Sequence, residues 1–220
     1  MQIDIITTLP SMFVGPLSES ILKRAQDRNI VQINVHDLRQ WTTDKHRTTD
    51  GHPYGGGPGM VMMVEPIDKA LQALGAKKST PNQKIILTSA KGMLFTQNTA
   101  ATWSSTINRI VFICGHYEGV DERVATHLID EEIRIGNYVL TGGELAAAVM
   151  IDAVVRLLPG VLGDSESNKD ESHKTPGYFE YPQYTRPENY KGWEVPKVLV
   201  EGNHKAIADW KNTRSQTVKR

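Results

Sequence analysis

One cysteine, Cys114, is all the thiol that the 220-residue chain contains. That excludes an intrachain disulfide framework and a cysteine-built metal cluster within one chain, and its place at the end of an apolar run marks it as a small buried side chain. Net charge is absent too: 25 Lys and Arg balance 25 Asp and Glu. No overall field draws the chain to nucleic acid, so any such contact must come from a local patch. No apolar run approaches the roughly 20 residues that cross a bilayer, and no charged region followed by an apolar segment opens the sequence. The expectation is a cytoplasmic protein with no membrane partner.

Familiar chemical signatures are missing as well. Gly55 to Gly59 is dense in glycine, but the segment before it is polar and no strand leads into it, so the context of a dinucleotide-binding turn fails. There is no Gly-Lys-Ser/Thr phosphate loop and no zinc-protease His-Glu-x-x-His, and the 7 histidines show no metal-ligand spacing. Ser18, Ser20 and the other serines lack the glycine-flanked elbow of a serine hydrolase. Hydrolase and dehydrogenase chemistry therefore has little support.

What is present is an alternation of short apolar runs and amphipathic stretches. A hydrophobic content of 39% with 23% charged residues suits a globular protein with one substantial core. Residues 2–7 alternate as a strand, Leu17 to Arg28 places Leu17, Ile21, Leu22 and Ala25 at helical spacing, and Val31, Ile33 and Val35 give a second strand. Pro66 and Gly75 bracket a helix over Glu65 to Leu74. Ile85 to Leu87 reads as a buried strand opening into the loop Thr88 to Gly92. Thr96 can cap a helix through Trp103. Glu144 to Leu158 is almost wholly apolar and predicts a helix buried on most of its surface. In it, Asp152 can pair with Arg156 four residues on, or Arg156 can hold an anion.

The polar chemistry gathers in loops. Leu38 to Met60 is long and mixes Arg39, Lys45, His46, Arg47 and His52 with glycines, which suits an anion-binding lid or a solvated loop. Two apolar runs, Ile110 to Cys114 and Ile133 to Ile135, separated by a short acidic helix, break into Gly115-His-Tyr-Glu-Gly119 and Gly136-Asn-Tyr-Val-Leu-Thr-Gly142-Gly143. Ligands of α/β sheets sit at the carboxyl ends of strands, and glycine lets backbone groups approach a ligand closely. The two loops, with Tyr117, Glu118, Asp121, Arg123 and Tyr138, are expected to form one pocket rather than ordinary strand-to-helix turns.

Pro159-Gly160 closes this unit, and residues 163–177 carry no apolar side chain and read as a linker. Beyond it, His204 to Asn212 has helical spacing. Lys205, Lys211, Arg214, Lys219 and Arg220, with Trp193 and Trp210 nearby, form the local patch suited to a phosphate backbone, or a solvated charged helix.

Five motifs then support a resemblance: Tyr54-Gly-Gly-Gly-Pro-Gly-Met60, Cys114-Gly-His-Tyr-Glu-Gly-Val-Asp-Glu-Arg123, Ile135-Gly-Asn-Tyr-Val-Leu-Thr-Gly-Gly-Glu144, Pro159-Gly-Val-Leu-Gly163 and Tyr184-Thr-Arg-Pro187. In this order, over nearly the whole chain, they closely resemble the bacterial tRNA (guanine-N1)-methyltransferase family. The resemblance implies an α/β SPOUT-type parallel sheet with a deep C-terminal trefoil knot over residues 1–160, a linker over 161–180 and a small α-helical, tRNA-contacting domain over 181–220. It implies a homodimer that moves a methyl group from S-adenosylmethionine to N1 of guanosine 37, immediately 3′ of the anticodon of tRNA. Carried over by motif, the cofactor loops are Leu87, Thr88, Ser89 and Ala90; Gly115 and Tyr117; and Ile135, Gly136, Asn137, Tyr138, Val139, Leu140, Gly142 and Gly143.

The resemblance also implies a carboxylate base in the linker, an arginine that stabilises charge on guanine O6, and Mg2+. Arg156 matches the arginine, and Glu118 is the candidate metal ligand. Counting from Gly163, or back from Ser172, places Glu171 where the family's aspartate stands, with Asp170 as second candidate. His173 replaces an aromatic residue and Asn137 an aspartate. A ribose methyltransferase of the same fold class, or a non-catalytic tRNA-binding module, are the alternatives, disfavoured by Tyr184 to Pro187 and by the intact glycine loops.

Overall fold

A computed structural model describes residues 1–163 and 170–217. In the first of its two compact units, Met1–Gly163, the strands follow as β1 (Gln2–Thr7), β2 (Gln32–Asp37), the two-residue β3 (Asp50–Gly51) and β4 (Val61–Met62), β5 (Gln83–Leu94), β6 (Arg109–Cys114) and β7 (Glu131–Arg134). β3 and β4 pair antiparallel with each other, and the rest form one parallel sheet in the order β2-β1-β6-β5-β7.

A parallel sheet must be covered on both faces, and the period of two along each strand shows how the coverage is divided. Ile110, Phe112 and Cys114 of β6, with Ile3 and Ile5 of β1, face a core shared with helices α1 (Ser20–Asp27), α3 (Gln97–Thr106) and α4 (Glu144–Val155). Val111 and Ile113 of β6 point the other way, with Ile85 and Leu87 of β5, into a core shared with Ile67, Ala70 and Leu71 of helix α2 (Val64–Ala73). Each isoleucine buried in this way contributes about 1.5–3 kcal/mol.

A buried acid interrupts the second face. Asp4 is 1% exposed and accepts from Asn34 at 3.0 Å, from Arg109 Nε at 2.9 Å and from Gln2 at 2.8 Å, with His36 Nε2 at 3.0 Å. Burial pushes its carboxyl up, but the hydrogen bonds from His36, Asn34 and Arg109 outweigh that and hold it below the usual aspartate range.

Most expected elements appear, with shifted ends. Leu17 is buried but precedes α1, which begins at Ser20. Thr96 caps α3, its hydroxyl accepting the Thr99 N–H at 3.2 Å, and the helix runs on to Thr106. The expected acidic helix is a correction: Val124–Leu128 forms one π-helical turn, while Glu131 and Glu132 lie in β7, where Ile86 and Leu87 of β5 offer a parallel partner. β5 itself bulges between Thr88 and Met93 before rejoining β7, so the expected loop Thr88 to Gly92 lies within the strand's span.

The second unit, Asp164–Arg220, holds β8 (Tyr178–Phe179), β9 (Asn189–Tyr190), β10 (Trp193–Glu194), helices α5 (Lys197–Val200) and α6 (His204–Arg214), and β11 (Gln216–Thr217). β9 and β10 form a hairpin and β8 pairs with β11. Asn203 caps α6 by accepting the Ala206 N–H at 3.1 Å. Residues 164–169 of the expected linker, and Lys219 and Arg220 of the basic patch, lie outside the described residues. Among the described residues no helix is long and apolar enough to cross a membrane.

Candidate active site

Because β6, β5 and β7 are parallel neighbours, with Thr88 level with both Cys114 and Ile133, their carboxyl ends open at one edge of the sheet. The chain leaving β7 then folds back to the end of β6. Gly143 donates its N–H to the Gly115 carbonyl at 2.7 Å, His116 bridges to Gly142, and Gly115 N–H donates to Thr88 Oγ1 at 3.1 Å. Glycine is required for this closeness. A Cβ on Gly115 would lie 2.8 Å from the Thr88 carbonyl oxygen, and one on Gly143 2.8 Å from the Gly115 nitrogen.

The two loops and the bulged end of β5 line a cavity of about 390 Å³. Its lining contains every residue assigned to the cofactor from sequence except Gly136 and Asn137. Those two shape the turn instead: the Tyr138 ring packs where a Gly136 side chain would stand, and Asn137 Oδ1 accepts from Arg134 Nε at 3.1 Å. Glu118 also lines the cavity, as do His116, Val120, Glu132, Arg134 and Ala146, none of which was singled out from sequence. Their places follow from strand pairing, which no local pattern reports.

Charged side chains, Lys91, Glu132 and Arg134, form part of the lining. Lys91 Nζ lies 2.6 Å from Glu122 Oε2 and 3.8 Å from Glu132 Oε1, and the bond to Glu122 holds its ammonium above the ordinary lysine range. Tyr117 takes a left-handed backbone conformation, φ 59°, an uncommon strain that gathers at functional sites. Burial, then the negative charge of Asp50, raises its phenol above the usual value. Asp121 and Arg123 pair with each other at 2.7 Å outside the cavity lining. Burial pushes the Cys114 thiol well up, which leaves it inert.

Arg156 follows α4 as its C-terminal cap residue, and its N–H donates to the Asp152 carbonyl at 3.2 Å. In the second unit, Asp170 accepts from Lys174 Nζ and, at 2.6 Å, from the Tyr178 hydroxyl. The Lys174 bond first, then that of Tyr178, holds its carboxyl below the usual aspartate range. Glu171 accepts the Lys174 N–H on its carbonyl at 3.2 Å, and His173 stacks edge-on against Phe179 at 5.1 Å. Among the described residues no three His, Cys, Asp or Glu side chains are grouped to hold a metal ion, so Glu118 has no such cluster around it.

A family model described as tRNA (Guanine-1)-methyltransferase TrmD matches residues 1–220. Similar proteins include one from Citrifermentans bemidjiense, 53% identical over 211 residues, 96% of this chain and 83% of the relative. One from Chloroflexus aurantiacus is 54% identical over 211 residues, 96% and 82% of the two chains. A third, from Geobacter sp. strain M21, is 51% identical over 220 residues, 100% and 86%. All three are named tRNA (guanine-N(1)-)-methyltransferase.

Proposed function

The chain belongs to the tRNA (guanine-N1)-methyltransferase family, and from that premise we propose how its residues methylate N1 of guanine in tRNA: the donor is S-adenosylmethionine and the target is guanosine 37, immediately 3′ of the anticodon. The observation that carries the reading to a site is the glycine-packed cavity at the ends of β5, β6 and β7. Its volume, about 390 Å³, falls in the range of small-molecule pockets. Beside the charged and polar groups of Lys91, His116, Glu118, Glu132 and Arg134, its walls hold loop backbone and apolar side chains such as Leu87, Val139 and Leu140, which suit an adenosyl group read by N–H and C=O groups.

Guanine N1 carries a proton and becomes a good nucleophile only when that proton is removed, so a positioned base is required. Bound S-adenosylmethionine supplies an electrophilic methyl group on a sulfonium that departs without help from a metal. Glu171 is the base in this reading. Its place counted from Gly163 and back from Ser172 puts it first, and Asp170, which accepts hydrogen bonds from Lys174 and Tyr178, stands second. Arg156 stabilises the negative charge that moves onto guanine O6. Glu118 is the candidate Mg2+ ligand, a lone carboxylate that would bind through water, and no step passes through it.

The reading extends to architecture. The path of residues 135–143, from β7 back past β5 to the end of β6, supports the crossing of a deep trefoil knot. Leu145 and Val149, one turn apart on α4, are each 49% exposed, and Val139 is 82% exposed. Such uncovered apolar surface beside the cavity supports a homodimer. Lys205 and Arg214, exposed on α6, support a small helical domain that contacts tRNA. Calorimetric titration of S-adenosylhomocysteine tests the cavity: saturable one-site binding supports the reading, and its absence removes the ground for it.

A further inference from the structure

Among the described residues, two buried side-chain atoms beside the cavity have no hydrogen-bond partner: Nδ1 of His116 and Oε2 of Glu144. They face each other at 3.8 Å, just beyond hydrogen-bond length. Glu144 opens α4 and is 1% exposed. Its other oxygen, Oε1, accepts the Thr7 hydroxyl at 2.8 Å, so the carboxylate is anchored on one side and unsatisfied on the other. His116 lines the cavity, its ring edge-on to Tyr117 at 4.9 Å. Gly142 lies against both side chains: a Cβ there would stand 2.5 Å from Glu144 Oε2 and 2.9 Å from His116 Cε1. The missing side chain is what lets imidazole and carboxylate approach.

A buried carboxylate oxygen without a donor is costly, which favours closure of the gap. His116 with its proton on Nδ1 is the donor that this oxygen lacks. We propose that His116 and Glu144 are positioning residues for the methyl donor, closing into one Nδ1–H···Oε2 hydrogen bond that pins the Gly115–Gly119 loop to the start of α4 across Gly142. The bond joins two loops whose backbone groups line the cavity. It sets their spacing before the ligand arrives, so binding does not have to order them. Both residues act through loop geometry and not on the reacting atoms. The inference rests on the reading of the cavity as the methyl donor's site.

The test is calorimetric binding of S-adenosylhomocysteine to the full chain and to His116→Leu, Glu144→Met, the double variant and His116→Asn, with the melting temperature of each. His116→Leu leaves Oε2 buried without a donor and is expected to weaken binding roughly tenfold. The double variant removes both polar partners and is expected to bind no worse than Glu144→Met alone, a coupling of about tenfold in the cycle. His116→Asn, whose side-chain nitrogen reaches the place of Nδ1, is expected to stay within about threefold of the parent. A merely structural role would lower melting temperatures while the folded variants keep their affinity. Unchanged affinity in His116→Leu, or losses that multiply in the double variant, would overturn the proposal. If Glu144→Met fails to fold, the contrast between His116→Leu and His116→Asn decides alone. No binding by the parent protein strikes instead at the reading of the cavity, and the inference falls with it.

Discussion

Gly143 and Gly115 meet backbone to backbone, the N–H of one on the carbonyl of the other at 2.7 Å, and this contact joins the chain after β7 to the end of β6. No side chain fits between them, because a Cβ on Gly143 runs into the Thr88 hydroxyl and the Gly115 nitrogen. Gly143→Ala is therefore expected to cost about 1–3 kcal/mol of stability through overpacking and to lose most affinity for S-adenosylhomocysteine. A thermal melt paired with a calorimetric titration checks both, and an alanine variant that binds normally would show that the loops do not need this spacing.

Thr88 holds the same junction through its hydroxyl, which accepts the Gly115 N–H at 3.1 Å and donates to the Ile113 carbonyl at 3.2 Å. Thr88→Val keeps the shape and removes both bonds, leaving buried partners unsatisfied at a cost of about 1–3 kcal/mol. Thr88→Ser is expected to retain most of the stability. Urea unfolding of the two variants separates the hydroxyl from the methyl group, and equal losses would contradict the assignment.

Asp4 gives the fold a defined response to acid. Its carboxyl is held below the usual aspartate range by His36, Asn34 and Arg109 against the opposing effect of burial. A depressed folded value means that its contribution is fully present above the unfolded value of about 3.9 and is lost as pH falls through the folded value. Asp4→Asn is expected to flatten that part of the acid limb and, by leaving Arg109 and His36 without their anion, to cost about 3 kcal/mol or more at neutral pH. Melting temperature against pH for parent and variant reads this directly, and parallel curves would contradict it.

Local patterns disclosed those parts of the fold that local forces decide. The alternation in residues 2–7 and the apolar run Ile110 to Cys114 are strands because both cores claim their side chains, and Thr96 caps α3 by chemistry contained within four residues. Glu131 and Glu132 were misleading because an acidic stretch resembles a helix until β5 supplies its partner. The candidate site divides in the same way. Glycine density marked the loops, and all but two of the assigned cofactor residues line one cavity. The facing of His116 and Glu144 depends on a fold-back that spacing alone does not encode.

The proposed base gives a kinetic prediction. Glu171→Gln is expected to lower kcat by about 10²–10⁴ with little change in affinity for the methyl donor. Asp170→Asn is expected to lose less, because counting from Gly163 and back from Ser172 puts Glu171, not Asp170, at the position of the base. Single-turnover rates and donor titrations on both variants separate chemistry from binding. A larger loss in Asp170→Asn would move the base to Asp170, and unchanged turnover in the double variant would remove both.

The most direct measurement incubates the protein with methyl-labelled S-adenosylmethionine and two tRNA transcripts identical except for guanine or adenine immediately 3′ of the anticodon. The account predicts label on the guanine transcript alone, mapping to N1 of that base. Label on both transcripts, on a ribose, or on neither while the donor analogue still binds would contradict it.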